Sequence, residues 1–316
     1  MKNVAVIDIG SNTIKVLCAR QTPNGLESLG YKSHEARLGG DDKDGKPWLA
    51  DHRRALALEA IQSLLDFANG YNPGKISLVA TSAIREASNQ GLFCQEILEK
   101  TAHPLRVLRG EEEARYIGSG IAQDPTLPDQ ANFTAFDLGG GSLERTVYQD
   151  GHLATASSFK LGAVRLTKEI CKDNGATPLA QQEICSIRER ILESLPDPAS
   201  TSPLVGSGGV FTITRTILLS RLPGNESLPP GELLSQADFT NLPLETLKEF
   251  AEETGKLPLE DRTKIPYLPP GRADILPTAL HIVITIAEKY GADAWHPTLY
   301  NLRFGIAKEL LEQSGN

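Results

Sequence analysis

The spacing of apolar positions along this chain changes several times, and the changes outline its elements. Residues 3–8 (NVAVID) and 13–20 (TIKVLCAR) are short β-branched runs separated by Gly10, Ser11 and Asn12. A further extended run covers about 26–36 after an Asn24-Gly25 turn, so the first segment predicts a three-stranded meander. The stretch 37–50 (RLGGDDKDGKPWLA) is rich in glycine and charge and reads as a loop. Over 52–69, Leu56, Ala60, Ile61, Leu64, Leu65 and Ala68 recur at helical spacing. KISLVAT (75–81) predicts a buried strand, and a helix begins near residue 83.

The second half runs through the same order. ANFTAFD (131–137), a glycine turn, LERTVYQ (143–149), an Asp150-Gly151 turn and HLATASSFKLG (152–162) predict three strands. A helix follows over 178–195 with Ile184, Ile187, Ile191 and Leu192 on one side, then PLVGSGGVFTITRTI (203–217) as strand, loop and helix. A repeat on this scale predicts a duplicated α/β domain whose two copies face each other across a cleft. The boundary is expected in the Asp- and Pro-rich stretch DPTLPDQ (124–130), which divides the chain into domains 1–124 and 125–316. Residues 222–272 are rich in Pro and Leu and yield only a helical run near 245–255; apolar helices are predicted over 275–290 and 303–313.

The chain has 316 residues, 40% of them hydrophobic, enough for about two domains with packed cores. Its four cysteines, Cys18, Cys94, Cys171 and Cys185, form no CxxC pair, which points to a reduced, cytoplasmic protein rather than a disulfide framework or zinc site. The N-terminus enters a strand pattern without a signal-peptide plan, and no apolar run approaches 18 residues, so no membrane association is expected. A formal charge of −8 argues against a general nucleic-acid binder, although a local basic groove remains compatible with it. The six histidines lack paired ligand spacing. Trp48 and Trp295 are isolated and read as packing or surface residues rather than stacking platforms.

The chemistry-bearing feature is a turn that occurs twice. VIDIGSNTIKVL (6–17) and FDLGGGSLERTV (136–147) each place an Asp at the end of an apolar run and a small-residue turn behind it. Such a turn bares successive N–H groups, and where it carries glycine no Cβ blocks the approach of phosphate oxygens. Either turn alone also fits a plain β-hairpin. As a pair from duplicated domains, they predict that Asp8 and Asp137 point into one cleft around one ligand. VGSGGVFT (205–212), ahead of a helix, offers a further anion nest. VATSAIREA (79–87) occupies the matching place in the first half and adds Arg85, either a phosphate fork or the partner of a nearby carboxylate. RGEEEARYIG (109–118) opens a helix with three glutamates, which the helix dipole favours; at about 100° per residue, at most two of them enter a cleft.

Together with KLGAVRL, PPGRADIL and YNLRFGI, this set resembles, in order and spacing from residue 3 to about 310, the exopolyphosphatase / guanosine pentaphosphate phosphohydrolase (Ppx/GppA) family. That family belongs to the superfamily of actin, sugar kinases and heat-shock chaperone ATPases. The resemblance implies two actin-like (ribonuclease H-like) domains facing across a cleft. The reaction it implies is metal-assisted attack of water on a terminal phosphoanhydride, in inorganic polyphosphate or at the 5′ end of guanosine pentaphosphate. It puts the catalytic base at Glu113, the Glu directly before Ala-Arg. It puts the Mg2+ carboxylates at Asp137 and Glu144, with Asp8 of the first turn beside them. Phosphate binding falls to Gly10, Ser11 and Asn12, to Arg85, to Gly139, Gly140, Gly141 and Ser142, and to Ser207, Gly208 and Gly209.

Lys15, Lys160, Arg165, Arg272 and Arg303 would join Arg85 in supplying positive charge to the cleft. Near its end the chain departs from the family's usual S-D-Y-G-L-R-E-G. PTLYNLRFG (297–305) keeps Arg303 and Gly305 but has Asn301 and Phe304 at the Gly and Glu positions. Longer family members add a C-terminal helical domain for which this chain is too short, and on that length alone polyphosphate is expected ahead of guanosine pentaphosphate. Two other functions stay open: a sensor that binds guanosine penta- or tetraphosphate without turnover, and an ATP-dependent kinase or ATPase of the same superfamily. A homodimer also stays open.

Overall fold

The computed structural model describes residues 2–23, 25–39, 42–198, 202–235 and 241–313. The meander forms as β1 (Asn3–Ile9), β2 (Thr13–Thr22) and β3 (Gly25–Glu35), all antiparallel neighbours. The segment read as a loop contains a small hairpin, β4 (Asp42–Lys43) and β5 (Lys46–Pro47). Its turn uses Asp44 and Gly45, both at positive φ (55° and 74°), the backbone twist that a two-residue hairpin requires. α1 (Asp51–Asn69) follows and buries Ala57, Ile61, Leu64, Leu65 and Ala68. Next come β6 (Lys75–Ala80), α2 (Ser82–Glu86), α3 (Gln90–Thr101), β7 (Leu105–Val107) and α4 (Gly110–Ile121). The sheet order is β3-β2-β1-β6-β7, with β6 and β7 parallel to β1.

The second half rebuilds this arrangement. β8 (Phe133–Leu138), β9 (Leu143–Gln149) and β10 (His152–Phe159) form the meander. α5 (Ala163–Ile170), α6 (Gln181–Ser194), β11 (Leu204–Gly208) and α7 (Gly209–Ser220) follow. The Pro- and Leu-rich region supplies α8 (Pro230–Ser235), β12 (Leu242–Pro243), α9 (Leu244–Gly255) and α10 (Leu259–Arg262). The chain closes with α11 (Leu276–Lys289), β13 (Ala294–Pro297) and α12 (Leu302–Glu312). The order β10-β9-β8-β11-β13 repeats the first sheet strand for strand, with β12 added at the edge. This is the duplicated α/β architecture that the sequence repeat predicts. β7, β13 and α5 were not expected, because three or four residues of strand and eight of helix carry too little period to stand out.

The two copies exchange their last helices. α4 leaves the first sheet and packs on β9 and β10, while α12 leaves the second and packs on β1 and β2. Each half keeps its own core, and a third core lies between the sheets. Val4, Val6 and Leu17 meet Phe133, Ala135 and Val205 there, with Ile117 of α4 and Ile306 of α12 among them. The exchanged helices cross so closely that a Cβ on Gly305 would overlap the carbonyl of Tyr116, and one on Gly120 that of Asn301. No helix among the described residues is long and apolar enough to cross a membrane.

The crossing predicts that Gly305→Ala lowers the unfolding free energy by about 1–3 kcal/mol through overpacking. Gly91→Ala, at a helical position with open space around it, raises it by about 0.5–1 kcal/mol. Urea denaturation of the two variants checks both signs.

Candidate active site

Both acid–glycine turns close with the same hydrogen bond. Gly10 N–H donates to the Thr13 carbonyl at 3.1 Å, and Gly139 N–H to the Ser142 carbonyl at 3.0 Å. Strand pairing then sets the side chains. Asp8 stands opposite Lys15 on β1 and β2, and Asp137 stands opposite Glu144 on β8 and β9. The repeat thus reaches the register, with a cation in one copy where the other has an acid. The turns meet where the halves touch: a Cβ on Gly140 would lie 3.1 Å from the Ser11 β-carbon, and one on Gly141 would overlap the Ser82 hydroxyl. Only glycine permits that approach.

Between the turns lies a cavity of about 90 Å3. The first half contributes Asp8, Gly10, Ser11 and Asn12; the second contributes Asp137, Gly139, Gly140, Gly141, Ser142 and Glu144. Gly208 and Gly209 enter at the start of α7, and Glu113 from the first turn of α4. Gly208 has φ +106°, and a Cβ there would lie 2.5 Å from the Leu138 carbonyl oxygen and 3.0 Å from Asp137 Oδ1, so glycine alone lets β11 end beside Asp137. Two of the expected residues sit behind this wall. Ser207 is fully buried, opposite Asp137 in the strand register. Arg85 Nη1 donates to Glu113 Oε2 at 2.8 Å and to the Leu108 carbonyl at 2.9 Å, the carboxylate pairing that its sequence context left open. Of the three glutamates, Glu113 is buried in the cavity, whereas Glu112 turns out to Arg106.

Lys15, Arg272 and Arg303, expected only as general positive charge, line the same cavity, as do Thr81, Ser82 and Asn301, which were not expected there. Asn301 had a legible signal, a short polar residue just before an apolar run, the mark of a helix N-cap. Its Oδ1 accepts from Arg303 N at 3.2 Å and from Arg303 Nε at 3.3 Å. The guanidinium lies 4.9 Å from the centre of the Tyr31 ring. Its Nη1 is buried with no partner among the described residues. Phe304, the other departure, packs its ring 4.2 Å from that of Tyr300 at a 34° tilt and joins the core between the sheets.

Four carboxylates therefore line one small cavity, Glu113 and Glu144 buried and Asp8 and Asp137 partly exposed. Burial pushes the Asp8, Asp137 and Glu144 carboxyls above their usual range. It also raises Glu113 to about 7, against the opposing hydrogen bond and charge of Arg85. Neighbouring carboxylates push Asp8, Glu113 and Glu144 further the same way, while Arg303 and Lys15 pull Asp8 and Asp137 back. Burial in turn lowers the Lys15 ammonium. Asp8 Oδ1 is buried with no hydrogen-bond donor among the described residues. An orphaned carboxylate oxygen amid oxygen-only donors fits a hard divalent cation. Among the described residues no three acidic, His or Cys side chains close into one ligand cluster.

The chain matches the model of the Ppx/GppA phosphatase family over residues 18–314. It belongs to that family. Among curated Ppx/GppA relatives, the guanosine-5′-triphosphate,3′-diphosphate pyrophosphatase of Vibrio vulnificus (strain YJ016) is 26% identical across 98% of this chain, which spans 59% of that relative's length. The Ppx/GppA family member of Aquifex aeolicus superposes with a TM-score of 0.79 at 22% identity, covering 99% of this chain and 98% of its own. An exopolyphosphatase from Cytophaga hutchinsonii superposes with a TM-score of 0.83 at 19% identity, with the same coverage of 99% and 98%. At these identities the two crystal structures establish the fold.

Asn301→Ala is expected to remove the α12 cap, lowering stability by about 1 kcal/mol, while Asn301→Asp keeps it. Chemical denaturation of the two variants side by side is the check, and equal losses would exclude a capping role.

Proposed function

We propose that the protein hydrolyses the terminal phosphoanhydride of a linear phosphate chain, inorganic polyphosphate or the 5′ end of guanosine pentaphosphate. The observation that carries this reading is the convergence of both acid–glycine turns and Glu113 on one cavity of about 90 Å3. At about 30 Å3 per water, that space is roughly three waters, the scale of one phosphoryl group with an attacking water. The names of the Vibrio and Cytophaga relatives are in keeping with it.

In this reading the N–H groups of Ser11–Asn12, Gly140–Ser142 and Gly208–Gly209 hold the phosphoryl oxygens, preorganised where charge accumulates, while the Gly10 and Gly139 N–H groups close the two turns. Lys15 and Arg303 add positive charge in a setting where little water screens it. Arg85 fixes Glu113 through Oε2, which leaves Oε1 to orient a water and take its proton. A carboxyl raised to about 7 is matched to that task near neutral pH. The water oxygen forms the new bond to phosphorus, the bridging P–O bond breaks, and the shortened chain leaves with the electron pair. Asp137 and Glu144, with the open oxygen of Asp8, would hold Mg2+, which supplies charge neutralisation for the oxygens of the transferred group.

Glu113→Gln is expected to lower turnover by about 10²–10⁴ while ligand binding persists, the usual contribution of a general base. Orthophosphate release from polyphosphate and from guanosine pentaphosphate measures it, and an unchanged rate would take the role away from Glu113. Asp137→Asn is expected to raise the Mg2+ concentration needed for half-maximal rate and to weaken the rise in Tm that Mg2+ gives the wild type. A variant with unaltered metal dependence would remove Asp137 from the metal site.

A further inference from the structure

The helix exchange brings Arg303 to the first sheet. It stands in the first turn of α12, which closes the second half in sequence but packs on β1 and β2. The residue is 5% exposed and lines the first cavity. Its Nε donates to Asn301 Oδ1 at 3.3 Å, and its Nη1 is buried with no hydrogen-bond partner among the described residues. A buried cationic N–H without an acceptor destabilises the fold by a desolvation that nothing offsets. On a cavity wall, an anionic oxygen arriving from solution supplies the missing acceptor.

Asn301 holds the guanidinium at one nitrogen, about which the group could still turn. The second hold is aromatic: Arg303 Cζ lies 4.9 Å from the centre of the Tyr31 ring. Tyr31 belongs to β3, the edge strand of the first sheet, and stands opposite Leu17, while Ser33 stands opposite Lys15. Leu17 packs with Ile306 of α12 in the core between the sheets, so strand alternation places Tyr31 on the face that α12 covers. At 51% exposure the ring adds little burial to that core. What an aromatic ring supplies there, and an aliphatic side chain does not, is a negative face toward a cation. The charges agree. Burial pushes the Tyr31 phenol up, but Lys15 and Arg303 more than reverse this and hold it below its usual range. Arg272, another cation of the cavity wall, feels the same phenol.

We infer that Tyr31 is a positioning residue for phosphate binding: its ring holds the Arg303 guanidinium so that Nη1 is presented to a phosphoryl oxygen in the first cavity. The inference rests on the reading of that cavity as the phosphate site of a hydrolase. Tyr31 itself touches no substrate and acts through Arg303. One half of the molecule thereby orients a group that the other half delivers.

The test reads binding apart from turnover, by titration calorimetry with imidodiphosphate, whose bridging nitrogen resists hydrolysis, in the presence of Mg2+. Tyr31→Leu is expected to raise Kd about five- to tenfold, within what a cation–π contact to a desolvated cation contributes, and Tyr31→Phe, which keeps the ring, to stay within about twofold of the wild type. Arg303→Met is expected to raise Kd as well, and in that background Tyr31→Leu should add less than about twofold, the limit of ordinary additivity error. A merely structural role would move Tm and leave Kd unchanged. An unchanged Kd in Tyr31→Leu, an equal loss in Tyr31→Phe and Tyr31→Leu, or the same loss with and without Arg303 overturns the inference, as does a wild type that binds no imidodiphosphate. The comparison of Tyr31→Phe with Tyr31→Leu decides the matter even if Arg303→Met does not fold. A wild type that binds imidodiphosphate but releases no orthophosphate from polyphosphate or guanosine pentaphosphate removes the hydrolase reading separately, and the Kd values still decide the role of Tyr31.

Discussion

Holding four carboxylates together in one small, largely enclosed space is the constraint on which the rest of this structure depends. Asp8, Glu113, Asp137 and Glu144 repel one another where little solvent screens them, and each arrives on a different element. Such an arrangement persists only if the backbone leaves the acids no room to separate. Two strand pairs, the first turn of a helix and the close contact of Gly140 and Gly141 with Ser11 and Ser82 supply that rigidity. Lys15, Arg85 and Arg303 balance part of the negative charge from positions held by strand register, ion pairing and capping.

The repeat explains how symmetry in the scaffold yields asymmetry in the chemistry. Both copies end a strand in Asp, turn with the same Gly N–H bond and return along an antiparallel partner. The partner presents Lys15 in one copy and Glu144 in the other. One turn thereby sets a base beside its Asp, and its twin a second acid.

Most of the architecture was legible in the sequence because it is carried by long periodic runs. The helix read over 52–69 is Asp51–Asn69, and that over 275–290 is Leu276–Lys289. The turns were legible because acid and glycine recur at matched positions, and the residues of both line one cavity. What escaped reading depends on tertiary context. β7 and β13 are too short to show a period and exist as strands only because a neighbour pairs with them. Asn301 carried a helix-start signal, but its orientation of Arg303 over Tyr31 joins positions 270 and more residues apart, which no local pattern encodes. The Asp44-Gly45 turn was hidden by the charge around it, and with it the hairpin that brings Trp48 to the cleft.

The crossing of α4 and α12 bears on how such a molecule can change over generations. Once each repeat had laid its closing helix on the other's sheet, neither could be discarded, exchanged with a foreign domain or inherited alone without laying bare an oily strand face. The connections around the crossing carry no such constraint, and the Asp42–Pro47 hairpin lies among them.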